Sequence, residues 1–164
     1  MSVLELITVY FFVFLLSAIP LFEAYFVIPI AIIGGVSFLP TLLIGLAGNI
    51  FTVFLLIAFI DVIKRWREKK KGDQEEAAPS KKKQRAQKLW KRYGLPGLAM
   101  IGPLFVGSHL TAFMGLTLGG SKKKTFLWVV ISITTWSILF AILAHFGIDI
   151  LGLDDRPFIQ RFFE

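Results

Sequence analysis

The chain has 164 residues, of which 55% are hydrophobic and only 18% charged, with 17 phenylalanines and a mean hydropathy of +0.72, well above that of an average soluble globule. Its net charge of +7 is unevenly spread: thirteen of the eighteen Lys and Arg residues lie between Lys64 and Arg92, beside four acids. No zinc-ligand spacing, RNP-like strand or basic helix with its own core accompanies them, so a nucleic-acid partner is not expected, and the lack of cysteine excludes disulfide and thiol chemistry.

Before Lys64 the only charged residues are Glu5, Glu23 and Asp61. That leaves a soluble fold too little polar surface. The expected class is all-α, a polytopic integral membrane protein with one membrane domain over 1–164. Val3 to Ile19 is apolar apart from Glu5, Thr8 and Ser17; it has no basic leader or cleavage motif and reads as a retained membrane helix. Leu21 to Leu39 is apolar but interrupted: Pro20 precedes it, Glu23, Pro29 and the Gly34–Gly35 pair lie within it, and Pro40 follows. Proline removes a helical hydrogen bond and a glycine pair permits a tight reversal, so helix breaks are expected at Pro20 and Pro29, as in a hairpin that enters and leaves the membrane on one side.

Thr41 to Ile63 is the clearest spanning helix, rising about 34 Å. Gly45, Gly48, Asn49 and Thr52 recur at helical spacing and would admit a close neighbour. The basic loop 64–92 follows directly and reads as cytoplasmic, attracted to anionic headgroups. Its last part, AQKLWKRY, could lie as a short interfacial helix with Leu89, Trp90 and Tyr93 toward lipid. Gly94 to Gly120 is apolar and broken again, with Pro96, Gly97, Gly102, Pro103 and Gly107 inside it. After the basic turn Ser121 to Lys124, Thr125 to Phe146 forms a second spanning helix, and a mixed tail covers 147–164.

The order of broken segment and then unbroken helix occurs twice, in a first repeat of roughly 20–63 and a second of roughly 94–146. If 64–92 and Lys122–Lys124 are both cytoplasmic, the two broken segments enter from opposite faces and three helices span. Five ordinary spanning helices are the alternative, which places Lys122–Lys124 outside and fits the positive-inside rule less well. Broken backbone is tolerable in a bilayer only against protein or a wet cavity, so the two breaks are expected to face a shared midplane pocket.

Among candidate site residues Glu23 leads. A carboxylate within a membrane segment is costly, and one that is kept there points to proton or cation coupling; the competing reading places it among headgroups. Asn49 could line the pocket or act as interhelical glue. His109, in VGSHLTA, could relay protons or simply pack, and His145 near a helix end reads as packing. Arg92 could guide an anionic headgroup or anchor at the interface. No nucleophilic triad, Walker loop or nucleotide fingerprint is present, and two distant histidines make no metal site. Enzyme activity, cofactors and metals are therefore not expected.

The stretches SAIPLFEAYFVIPIAIIGG and Gly48–Asn49, then KRYGLPG and PLFVGSHLTAFMG before a short basic turn, resemble the small multidrug export protein family, which is similar to the wider DedA/VTT superfamily. The family pattern sets a glutamate six residues before a proline, here Glu23 and Pro29, and a Gly-Asn pair in the next helix. The resemblance covers most of Ser17 to Gly147. It departs at Tyr25, where family members commonly carry arginine, and at Gly107, Ser108 and His109, where prolines and glycines are common. It implies re-entrant hairpins and ion-coupled export, or translocation of a lipid or lipid carrier.

The reading reached is a transporter of the inner (plasma) membrane, coupled to protons or cations, moving a small molecule or an anionic lipid, and a homodimer because one subunit encloses little volume. A non-transporting scaffold that recruits a partner through the basic loop is the alternative.

Overall fold

The computed structural model describes residues 3–62, 65–66 and 81–151, and all regular structure among them is helical. Among the described residues six helices are delimited: α1 (Val3–Ala18), α2 (Ala24–Ile33), α3 (Phe38–Ala58), α4 (Lys81–Val106), α5 (Ser108–Thr117) and α6 (Lys122–Leu151), and residues 60–62 and 65–66 are also helical. Most of the basic loop 64–92 and the tail beyond residue 151 lie outside the described residues. The chain divides into two units, one of Met1–Thr52 with Ile133–Glu164 and one of Val53–Ser132, so α3 and α6 each contribute residues to both.

In the first unit α1 packs along α2 through a cluster of Val9, Val13, Val27, Ala31 and Val36. Only residues 19–23 join the two helices, and packed neighbours so closely connected run antiparallel. The antiparallel partner of α2 is therefore α1, a segment expected to stand as a separate crossing. α2 ends at a Schellman turn: Gly35 takes φ 91°, and the Val36 and Gly35 amides donate to the carbonyls of Ala31 (3.0 Å) and Ile32 (2.9 Å). α3 then runs back along the hairpin, its Gly45 against Ile28 and Ser17 and its Gly48 against the Phe14 carbonyl.

The second unit repeats this plan. α4 bends at Gly94, whose φ of 64° and ψ of −159° are not helical, and its last stretch, 95–106, pairs with α5 across Gly107. Gly102 lies against Thr111, Gly115 against Leu95, and Leu98 clusters with Met114, which fixes the pairing as antiparallel. At 1.5 Å per residue the limbs are about 18 and 15 Å long, each roughly half a hydrocarbon core. A second Schellman turn follows: Gly119 takes φ 105° and the Gly120 amide donates to the Gly115 carbonyl at 2.8 Å. Ser121 caps α6 by accepting from the Lys124 amide at 3.4 Å. Lys122–Lys124 thus form the first turn of α6 rather than a turn before it, and Lys122 reaches Asp61 at 2.9 Å, an exposed pair of small energetic value.

These features recur at one interval, 84 positions: the positive-φ residues Glu23 and Gly107, the turn glycines Gly35 and Gly119, and the first helical residues Phe38 and Lys122. Even the bonds between the Thr41 amide and the Ser37 carbonyl and between the Thr125 amide and the Ser121 carbonyl correspond.

The breaks fall beside the prolines more than on them. Pro20 lies in the break 19–23. Pro29, however, sits inside α2, and Pro96 and Pro103 lie inside α4. The residues of positive φ at the breaks are Leu21, Glu23, Gly94 and Gly107. Pro96 is in the first turn after the Gly94 bend, where no amide donor is required.

Polarity is distributed inside out. Phe11, Phe12, Phe51, Phe54, Leu127 and Leu143 are exposed, whereas Ser17, Thr41, Asn49, Ser132 and Ser137 are fully buried. Exposed apolar surface of this extent needs a covering. α3 and the stretch Lys122–Gly147 of α6 are long and apolar enough to cross a membrane.

The close approach at Gly48 yields a first prediction. A methyl group there would collide with the Phe14 carbonyl, whereas one at Gly147 meets nothing within 4 Å. Gly48→Ala should destabilise the protein by about 1–3 kcal/mol and Gly147→Ala should stabilise it by about 0.5–1 kcal/mol. Thermal unfolding in detergent measures both.

Candidate functional site

The break between α1 and α2 is short and strained. Leu21 has φ 98° and Glu23 φ 37°, a region that costs a side-chain-bearing residue roughly 1–2 kcal/mol. In this conformation the Glu23 carbonyl starts α2 by accepting from the amides of Phe26 (3.0 Å) and Val27 (3.1 Å), while its side chain caps nothing at that helix start. The carboxylate points instead to α3, where Asn49 Nδ2 donates to Glu23 Oε2 at 3.0 Å. Glu23 is 2% exposed and Asn49 0%, so neither group has bulk water as its principal partner. Tyr25, wholly buried, stands within electrostatic reach of the Glu23 carboxylate and packs on Phe26 and Phe140.

Asn49 lies about 16 Å along α3 from Phe38, near the middle of a membrane-length helix. The carboxylate is thus held at the tip of the hairpin and halfway along its neighbour, by an amide suited to donate to it. No lysine or arginine occurs among the described residues of this unit. Such a site can hold a proton or a cation.

The other candidates are placed apart from this pair in the chain. His109 is 8% exposed at the start of α5, and its Nδ1 lies 3.2 Å from Ser108 Oγ. Both follow directly on Gly107, whose φ of 89° costs glycine little. Arg92 is exposed, its guanidinium carbon 5.2 Å from the Tyr93 ring, just before the bend at Gly94. The expected interfacial face is present only in part: Tyr93 is exposed, but Trp90 packs on the Leu98–Met114 cluster, and the Leu89 side chain lies outside the described ones. His145 is exposed and packs against Phe38, ring centroids 5.7 Å apart. No group of three or more metal-ligating side chains occurs among the described residues.

Ser17 and Thr41 were not among the sequence candidates. Both are fully buried, and neither hydroxyl has a hydrogen-bond partner. The spacing of Thr41, Gly45 and Asn49 at every fourth position was available as a signal for Thr41; nothing local distinguished Ser17.

The family described as "Putative small multi-drug export protein" matches residues 23–139, well over half of the chain. This protein belongs to that family. The match opens on Glu23 and includes Asn49, the α4–α5 hairpin and the start of α6. No curated protein and no solved structure matches the chain at a significant level.

The Glu23–Asn49 bond is measurable. Asn49→Leu leaves a buried carboxylate without this donor and should cost about 1–3 kcal/mol. Combined with Glu23→Leu, the two changes should be non-additive by about 1 kcal/mol or more in a double-mutant cycle of detergent unfolding. Additive effects would mean that the side chains do not interact.

Proposed function

We propose that the protein is a membrane exporter in which Glu23 takes up and releases the coupling ion, a proton in the simplest case. One observation carries this reading: a buried carboxylate, bonded to Asn49, at the tip of a hairpin and at the middle of a membrane-length helix. A charge at that depth is expensive and is kept where it does work. The family's export description and the exposed apolar surface support the membrane setting. Hairpin limbs of about half a bilayer support re-entrant segments, arranged as an inverted repeat around a midplane cavity, a plan like that of the DedA/VTT superfamily.

In this scheme Asn49 holds Glu23, His109 with Ser108 lines the path at the second hairpin tip, and Arg92 meets anionic groups at the surface. Loop 64–92 faces the cytoplasm of a cell whose inner (plasma) membrane holds the protein as a homodimer. The cargo is a small molecule or an anionic lipid.

Reconstitution into liposomes tests the coupling. With a proton gradient imposed, the wild type should move a fluorescent lipophilic cation or a tagged anionic phospholipid. Glu23→Gln, which keeps shape and loses charge, should lower that flux by about 100-fold, the scale of a lost acid–base group, while unfolding at a similar temperature. Equal flux in both proteins would remove Glu23 from the mechanism. No flux in either would favour the scaffold reading.

A further inference from the structure

Hydroxyl groups among the described residues differ in their partners: Ser132 donates to the Met100 carbonyl of another helix at 3.1 Å and Ser108 lies 3.2 Å from His109 Nδ1. Thr8, Thr52 and Thr117, which are not fully buried, donate to carbonyls three or four residues back in their own helices. Five buried hydroxyls, those of Ser17, Thr41, Thr111, Thr125 and Ser137, make no such bond, and two of them, Ser17 and Thr41, lie on the Glu23 side of the first unit. A helix always offers that bond, and an unmade one in a buried place costs about 1–3 kcal/mol. Hydroxyls left so are placed for a partner that is not protein.

Their positions are ordered. Thr41, Gly45 and Asn49 succeed one another by single turns on one face of α3, and all three are buried. Over the middle station lie the apolar Ile28, its Cγ1 2.6 Å from where a Cβ on Gly45 would stand, and beside it Ser17 Oγ at 3.2 Å. Glycine therefore makes room for the isoleucine and the serine of the two hairpin limbs. Successive turns of a helix surface are about 5–6 Å apart, the span of one water donating to and accepting from oxygens about 2.8 Å on either side. At one end is Thr41, one turn inside α3 and near the exposed Ser37 and Pro40; at the other is the Asn49–Glu23 pair. Beyond Asn49 the same face continues with Val53 and Ile57, buried and apolar. In the second repeat the corresponding stations are Thr125, Val129 and Ile133, of which only the first is polar.

We propose that Thr41 and Ser17 hold ordered waters that form a one-sided proton path from the α2–α3 turn to the Glu23 carboxylate. Each hydroxyl accepts one hydrogen bond and donates one, so a proton entering at the turn is relayed to a Glu23 oxygen, and Val53 and Ile57 close the continuation of that face. The inference rests on the reading of Glu23 as the coupling group and adds the side from which it is loaded. The other ionisable side chains described in this unit are Glu5 and Tyr10 on α1, Tyr25 on α2 and His145 on α6. Among these, Tyr25 alone stands beside the carboxylate in the contacts described above.

Dicyclohexylcarbodiimide, which modifies protonated carboxyls in apolar surroundings, reads this out by peptide mass spectrometry in oriented proteoliposomes, the turn side being assigned by labelling a Ser37→Cys variant. Labelling of Glu23 after a pH step should follow the compartment on the turn side. Thr41→Val and Ser17→Ala should slow that response by about tenfold, and Thr41→Ser should restore it. A response to the opposite compartment, or wild-type speed in Thr41→Val, overturns the path and leaves Glu23 as the coupling group. No labelling of Glu23 at any pH overturns both.

Discussion

A hairpin that turns beside the middle of a long helix needs something at its tip to hold it there, and in the first repeat that is the hydrogen bond from Asn49 to Glu23. The bond fixes the level of the break against α3 and gives a buried carboxylate a donor. It also accounts for an unfavourable backbone choice. The second repeat puts glycine at the corresponding position, where a positive φ carries little cost, yet the first puts a glutamate there at φ 37°. Stability alone would favour glycine at both tips. A residue kept against that preference supplies something glycine cannot, and the only candidate is its carboxylate.

The scaffold around the two tips is the same, and its few shared residues are those the geometry requires. Gly35 and Gly119 supply the positive φ of each Schellman turn, Ser37 and Ser121 stand just before each long helix, and Thr41 and Thr125 lie one turn inside it. Elsewhere one apolar residue replaces another freely, because any of them fills an apolar helix face. The repeat is thus conserved in backbone and nearly lost in sequence.

That explains what could be read from the sequence. Long apolar runs, the basic loop and the two long helices are compositional and were legible, as were Glu23 and Asn49 as polar residues out of place. Their pairing was not, because they are separated by 26 positions and no periodicity links them. The breaks were assigned to prolines because proline forbids one hydrogen bond, but Pro29 and Pro103 are accommodated inside helices. Positive φ at Leu21 has no signature in residue type at all. The placement of α1 was hidden for a similar reason: a largely apolar stretch of sixteen residues carries no mark of its partner, and only the packing shows that it lies along α2.

The two tips carry different chemistry on matching backbone. Tyr25 and His109 occupy the same station, as do Ala24 and Ser108, so one tip presents a carboxylate with an amide and the other an imidazole with a hydroxyl. The long helices have diverged too, since Gly45 and Asn49 correspond to Val129 and Ile133. One copy thus admits a close neighbour and carries an amide where the other carries two branched aliphatic side chains. The proposed directional transport needs an asymmetry, and two units of similar backbone can supply it without a new fold. Three of the differences lie together: a carboxylate at one tip where the other has glycine, and a glycine and an asparagine on the helix beside it where the other has two branched aliphatic residues.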